Sequence, residues 1–301
     1  MSAFTLSYII ATRNRLPFLK ITLEKLISIL QPDEEIVVVD GNSTDGAKEY
    51  LQQLFEQGKI HQLVSEPDRN QAHGWNKAML MAKGTIIKKI IDDDVHHYTA
   101  IRKCLDYMLN NPQIDICISN CLSTALLSPQ NITEANRFDQ YKKWKAGMVN
   151  CFTFSDISML IRKSALSYLG LYDTQFAMMD WEYALRCSYL KADIVYYTGY
   201  NSLSVDTPGN VTSKTDDAKL KAEGRIGQLK YDYEGDRADI SFYSEMKIAI
   251  GKIIFRKRGS PSAETPGLET IPPEELSKIY YQLYQYLENY SRATDAAFIG
   301  Q

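Results

Sequence analysis

The chain has 301 residues, 45% of them hydrophobic, with 34 basic and 37 acidic side chains and a formal net charge of −3. This is enough for one large domain, or a domain with an appendage, around a sizeable core. The balanced charge excludes a general attraction to nucleic acid or to an acidic membrane. The five cysteines, odd in number and without a CxxC pair, argue against a disulfide framework or a zinc site and fit a reduced, cytoplasmic compartment. The first residues lack the basic-then-apolar pattern of a signal peptide, and no apolar run is long enough to span a bilayer.

In chain order, the apolar run 6–10 predicts a buried strand. Leu19, Leu23, Leu26, Ile27 and Leu30 then recur at helical spacing, with Pro17 suited to the first turn. Residues 36–39 are continuous and β-branched, as a parallel strand covered on both faces requires. Ser43, Thr44 and Asp45 offer caps to a helix through Leu54 and Phe55. A strand is expected at 60–64, a helix at 75–82 closed by Gly84, and a strand at 86–91 that ends on Asp92-Asp93-Asp94. A helix at 99–109, begun by His96 and His97, and a strand at 114–118 follow.

Strands alternating with helices over short connections predict an α/β fold with a mostly parallel sheet. Ligands bind such sheets off the carboxyl ends of the strands. Thr12-Arg13-Asn14, Asp40, Glu66-Pro67-Asp68 and the acidic triplet all fall at those ends.

Periodicity fades over 120–155, which reads as loop-rich, and returns with a strand at 158–161, a helix at 180–190 and a strand at 194–197. Residues 204–215 read as a polar loop able to close over a ligand, and 216–233 as a charged helix. The segment 246–258 is apolar and basic: it either lies on a membrane interface or, the reading favoured, packs as a solvated helix on the domain. Residues 259–273 read as a linker. The amphipathic helix 274–290 either docks on its own domain or pairs two subunits in a homodimer.

Three adjacent carboxylates at the end of an apolar strand are costly without cations. A hard divalent ion, Mn²⁺ or Mg²⁺, would neutralise them and bridge to phosphate oxygens. No GxGxxG or GxxxxGK[ST] is present, which argues against dinucleotide and P-loop sites. Asp180 opens a helix and could act as a base, with Glu182 as the fallback; Trp144 and Trp181 could stack on a sugar.

Four ordered blocks carry a family resemblance. Residues 7–15 (SYIIATRNR), 35–45 (EIVVVDGNSTD), 65–69 (SEPDR) with Gly74-Trp75-Asn76-Lys77-Ala78, and Asp92-Asp93-Asp94 resemble the family 2 glycosyltransferases with the GT-A fold. The resemblance covers roughly residues 5–200. It implies a nucleotide-binding half at 1–115, an acceptor half at 116–235 and a helical extension at 236–301. Carried over residue by residue, it implies Thr12, Arg13 and Asn14 near the nucleotide, Asp40 on the base (usually uracil) and Asp68 near the nucleoside. Asn76 and Lys77 fall toward the sugar or diphosphate. Asp92 and Asp94 would form the DxD metal pair, with Asp94 the more direct ligand and Asp93 on ribose or donor sugar; Asp180 would be the general base. Ala11, Gly41-Asn42 and Asn70-Gln71-Ala72-His73 depart from the family pattern. The implied activity is inverting, metal-dependent transfer from a nucleotide-sugar donor, UDP-linked above all, to a glycan or lipid-linked acceptor in polysaccharide biosynthesis, by an enzyme at most peripheral to the inner face of the membrane. A nucleotidyltransferase and a non-catalytic nucleotide- or glycan-binding module are the alternatives.

Overall fold

The computed structural model describes residues 4–207, 216–233 and 271–300. Strand β1 (Phe4–Thr12) lies between β2 (Glu34–Asp40) and β4 (Gly84–Lys89), with β3 (Gln62–Ser65) beyond β2, all parallel. On the other side β8 (Leu160–Arg162) runs antiparallel between β4 and β6 (Ile116–Ala125). Strand β9 (Ile194–Asp206) is parallel to β6 and carries antiparallel β10 (Phe298–Ile299) at its edge. The order is β10-β9-β6-β8-β4-β1-β2-β3, with β5 (Val95–His96) paired to β9 and β7 (Ser128–Ala135) to β6.

The period of two along a strand divides the core. Tyr8 and Ile10 of β1 and Ile36 and Val38 of β2 face one side, while Ile9, Val37 and Val39 face the other. On the first side they meet α1 (Leu16–Ile29), α2 (Ala47–Glu56), α4 (Tyr98–Asn110) and α9 (Pro273–Ala293). On the second lie α3 (Gln71–Met81), α5 (Phe138–Lys145) and α7 (Met179–Tyr189). The short α6 (Leu166–Leu169) leads toward α7, and α8 (Asp217–Tyr231) crosses its start.

Four expectations change. Gly84 does not close a helix but opens β4, where a Cβ would lie 2.6 Å from the Ser7 amide nitrogen. The region 120–155 contains half of β6, all of β7 and α5; β7 is polar and largely exposed, so it lacks the apolar alternation that marks a half-buried strand. Residues 204–206 belong to β9, whereas 208–215 and the apolar-basic 246–258 lie outside the described residues. The amphipathic helix α9 buries Leu276, Tyr280, Leu283, Tyr284 and Leu287 against its own domain, so its apolar stripe is not left for a second subunit. The described end of the proposed extension is thus built into the main sheet. All five cysteines are buried and free, and no described helix is long and apolar enough to cross a membrane.

Candidate active site at the carboxyl edge of the sheet

The parallel strands deliver the expected clusters to one edge. Thr12, the last residue of β1, donates from Oγ1 to Asp92 Oδ2 at 2.6 Å. Thr22 of α1 donates to the Asp92 carbonyl at 2.8 Å. Arg15, at the mouth of α1, pairs through Nε with Asp92 Oδ1 at 3.0 Å and through its second terminal nitrogen with Asp93. Thr207, just past β9, donates to Asp93 Oδ2 at 2.5 Å. Asp94 turns the other way, and its Oδ1 accepts the Val205 amide of β9 at 2.7 Å.

Burial pushes the Asp92 carboxyl up to about 6, with Arg15 pulling it down and Asp93 pushing it up. Asp94 is held well above the usual range, first by burial and then by Asp93. Both shifts favour the protonated form, so the folding stability they contribute is lost as pH rises, for Asp92 through about 6, unless a cation balances the charge. The donor chemistry suits a hard divalent ion. Among the described residues no three His, Cys, Asp or Glu side chains surround one point. One or two carboxylates completed by substrate phosphates are an ordinary Mg²⁺ arrangement, and Asp92 and Asp93 already gather on one positive group. Asp94 engages Val205 through one of its two carboxylate oxygens.

The neighbouring corner is knitted by polar contacts. Asn14 sits at φ 53° and Asn42 at φ 61°, left-handed positions that asparagine tolerates where most residues do not. Asn14 Oδ1 accepts the Thr44 amide at 2.8 Å, and its own amide donates to Ser43 Oγ at 2.8 Å. Gly41 makes room: a Cβ there would meet Asp68 Oδ2 at 3.2 Å and Arg13 Cβ at 3.3 Å. Asp68 pairs with Lys77 at 2.6 Å and His73 at 3.4 Å, and Lys77 also reaches Glu66 at 3.0 Å. Arg13 is exposed beside them.

Two of the expected residues, Asp40 and Asn76, are engaged within the fold. The Asp40 carboxylate is fully buried and accepts from the Ser43 amide at 3.1 Å, the Ser43 hydroxyl, and Ser65 Oγ at 2.6 Å. It ties the ends of β2 and β3 into the floor of the corner. Asn76 spends both ends of its amide on the backbone of Tyr172, donating at 2.8 Å and accepting at 2.9 Å, so it clamps α3 to the segment before α7.

On the far side, Asp180 and Trp181 open α7 onto a cavity of about 480 Å³. Its other walls come from Ser119 and Cys121 of β6, Glu134 of β7, Arg137, and the strip 153–155. Beneath it Asp156 is buried in an ion pair with Lys89 and accepts from Tyr172 Oη at 2.9 Å. Burial, and after it the charge of Asp156, holds the Asp180 carboxyl above the ordinary range against the pull of Lys89.

Glu182 is separated from this cavity chemistry. It is fully buried, held by Arg186 at 3.1 and 2.9 Å, and accepts from the Tyr231 hydroxyl. A carboxylate so engaged is a helix-packing group, and its expected part as fallback base does not fit these contacts. Trp144 is likewise core, donating from Nε1 to the Ser188 carbonyl at 3.0 Å, and His96 is buried in β5.

The profile of Glycosyl transferase family 2 matches residues 7–170, over half the chain. The chain belongs to glycosyl transferase family 2. The poly-beta-1,6-N-acetyl-D-glucosamine synthase of Staphylococcus epidermidis is 24% identical over 186 residues, 58% of this chain and 43% of that protein. A putative teichuronic acid biosynthesis glycosyltransferase of Bacillus subtilis, TuaG, is 28% identical over 104 residues, 34% of this chain and 41% of that one. The matches thus span less than half of these curated relatives. Among solved structures, TarS of S. aureus in complex with UDP-GlcNAc superposes with a TM-score of 0.57 at 16% identity, covering 77% of this chain and 68% of that one. Mannosyltransferase PcManGT from Pyrobaculum calidifontis, in complex with GDP-Man and Mn²⁺, gives 0.52 at 16%, covering 96% and 88%. These likenesses establish the GT-A fold.

Several site residues of this family 2 chain were not singled out in the sequence. Arg15 stands inside the quoted opening block, but Thr207, Asp156 and Lys89 reach the site only through the tertiary fold. So does Glu223 of α8, whose buried carboxylate accepts the Ala177 amide at 2.8 Å and the Met178 amide at 2.9 Å. These are backbone donors at the start of α7, which helices leave unpaired. One turn on, Gly227 lets α8 lie against Trp181, where a Cβ would come within 2.4 Å of the indole. Glu223 therefore positions the turn that carries Asp180. Glu223→Ala is expected to lower kcat by about tenfold or more, as small misplacements of reacting groups do, with donor KM nearly unchanged. Steady-state release of nucleoside diphosphate measures both constants; an unaltered kcat in the folded variant would remove Glu223 from this role.

Proposed function

We propose that this family 2 enzyme transfers a sugar from a nucleoside diphosphate donor, UDP-linked above all, to a hydroxyl of a glycan or lipid-linked acceptor, with inversion and with a divalent metal. Two observations support the reading: acidic side chains gathered on Arg15 at the strand ends, and an Asp180 carboxyl held above its ordinary range on the wall of a cavity of about 480 Å³. Support comes also from the relatives, whose names include a polysaccharide synthase and a teichuronic acid glycosyltransferase, and from fold neighbours solved with UDP-GlcNAc and with GDP-Man and Mn²⁺.

In this reading Arg13, Asn14, Asp68 and Lys77 border the nucleoside, over the floor fixed by Asp40 and Asn76. Thr12 orients Asp92. Asp92 and Asp93 would hold Mn²⁺ or Mg²⁺, with Asp94 anchoring the turn to β9. When bound, the ion supplies positive charge to the departing diphosphate. Asp180 takes the proton of the acceptor hydroxyl as its oxygen bonds to the anomeric carbon, and the bond from that carbon to the diphosphate oxygen breaks on the opposite face. Trp181 offers an apolar face to the acceptor beside Asp180. A cytoplasmic site of action belongs to the same proposal. Incubation with a panel of UDP- and GDP-sugars, with Mn²⁺, Mg²⁺ or chelator, tests it. Metal-dependent release of nucleoside diphosphate, with at least one donor far ahead of the rest, is expected. Stabilisation by no nucleotide in the presence of metal would overturn it, and release of pyrophosphate from a nucleoside triphosphate and a sugar 1-phosphate, with no turnover of the nucleotide sugars, would restore the nucleotidyltransferase alternative.

A further inference from the structure

Arg15 is the positive group that the acidic triplet already holds. Its Nε lies 3.0 Å from Asp92 Oδ1, its second terminal nitrogen pairs with Asp93, and it donates to Thr207 Oγ1 at 3.1 Å. The guanidinium lies over the Phe18 ring, 4.9 Å from its centre. Phe18 packs edge-on against Tyr280, whose hydroxyl donates to the Asp93 carbonyl at 2.5 Å. The Arg15 head is thus seated among fixed neighbours, with Asp92, Asp93 and Thr207 as its polar partners.

A divalent ion on Asp92 and Asp93 would contest the same oxygens, and two cations cannot share them closely in a poorly solvated site. Alone, the ion has to evict Arg15 with no compensating anion for the guanidinium. A diphosphate changes that balance. Its oxygens match the planar fork of an arginine, which binds phosphate in two-point contacts, and they complete the shell of the metal.

Resting on the donor and metal reading above, we propose that Arg15 is a resident counter-cation which passes from Asp92 and Asp93 to the donor diphosphate as the divalent ion binds. The site therefore takes metal and nucleoside diphosphate together and neither well alone. Thr207, which contacts both Asp93 and Arg15, senses the exchange from the end of β9.

The test is Mn²⁺ binding, read from the paramagnetic resonance of free Mn²⁺, with and without saturating UDP. Wild-type protein is expected to bind Mn²⁺ roughly tenfold or more tightly with UDP than without, a usual size for coupling between two ligands. Arg15→Gln is expected to bind Mn²⁺ alone roughly tenfold more tightly than wild type and to lose most of the gain from UDP. If wild type shows the UDP gain but Arg15→Gln binds Mn²⁺ alone no better, the inference fails and the metal reading stands. If UDP brings Mn²⁺ to neither protein, the metal reading fails and takes the inference with it. A second measurement needs only the wild-type fold. The Arg15 Nε–H resonance, assigned by its loss in Arg15→Lys, should move with UDP and Mg²⁺ together and stay in place with Mg²⁺ alone. A resonance unmoved by the pair overturns the exchange.

Discussion

Asp180→Asn is expected to lower the rate of sugar transfer by about 10²–10⁴-fold, the range a positioned general base contributes, while UDP affinity is unchanged. The amide keeps the shape and the helix-start position of the carboxylate but cannot take a proton. If Asp180 only served the first turn of α7 through the helix dipole, the exchange would cost about 0.3–1 kcal/mol of stability and leave kcat alone. Single-turnover transfer and UDP calorimetry separate the two roles. The raised pKa adds a second signature. Asp180 must be ionised to act, so activity falls as pH drops through its folded pKa. That acid limb should lie above the ordinary aspartate value of about 3.9, because burial and the facing Asp156 hold the proton on, against Lys89. A limb at or below the ordinary value would mean another group is the base.

Lys89→Met should cause the largest loss of stability, about 3–5 kcal/mol, the usual result of stripping one partner from a buried ion pair. Lys89 and Asp156 expose only 4% and 5% of their side chains. The ammonium lies 4.3 Å from the centre of the Trp75 ring and 5.3 Å from that of Tyr172. Methionine would preserve much of that packing but leave Asp156 charged and unpaired beneath the cavity. The melting temperature should fall by on the order of 10 °C. Replacing Asp156 by Leu in the same chain should recover much of the loss, since the charge that needed a partner is gone. Lys25 and Glu288, 3.6 Å apart and exposed by 36% and 37%, provide the contrast: Lys25→Met should change stability by less than about 1 kcal/mol. Chemical denaturation of the four proteins tests this, and equal losses at both pairs would refute it.

Residues 4–115 were legible in the sequence because their strands are apolar runs separated by strongly periodic helices. Tyr8-Ile9-Ile10 and Val37-Val38-Val39 are covered on both faces, and a buried parallel strand has little else to look like. β7 was not legible, because its residues face solvent and encode pairing rather than burial. At the site, the residue types at the strand ends were readable but their partners were not. Asp92 takes Thr12 from 80 positions away, and Thr207 reaches Asp93 across 114. Asp180 as base and Glu182 as its fallback are two acids of one helix start, and residue type alone does not tell which way each faces. On a helix, however, neighbours two apart point roughly 200° from each other, so one faces the cavity and the other faces α8. Asp40 fell at an expected place, but only its serine neighbours reveal that its oxygens are already taken.

The edge strand β10 and the helix α9 bear on where this protein can be cut. A fragment stopping near residue 235 would keep every family block quoted above. It would also uncover the outer edge of β9, where β10 now pairs with Tyr196 and Tyr197, and the Phe298 ring that stacks on Tyr107 at 4.0 Å would be gone. The aromatic and aliphatic floor under Tyr280, Leu283 and Leu287 would meet water at the same time. An unpaired strand edge beside an apolar surface invites pairing with other chains. The fragment suggested by sequence blocks alone is therefore an aggregation-prone one, and the tail covers the β9 edge of the sheet and the apolar surface beside it.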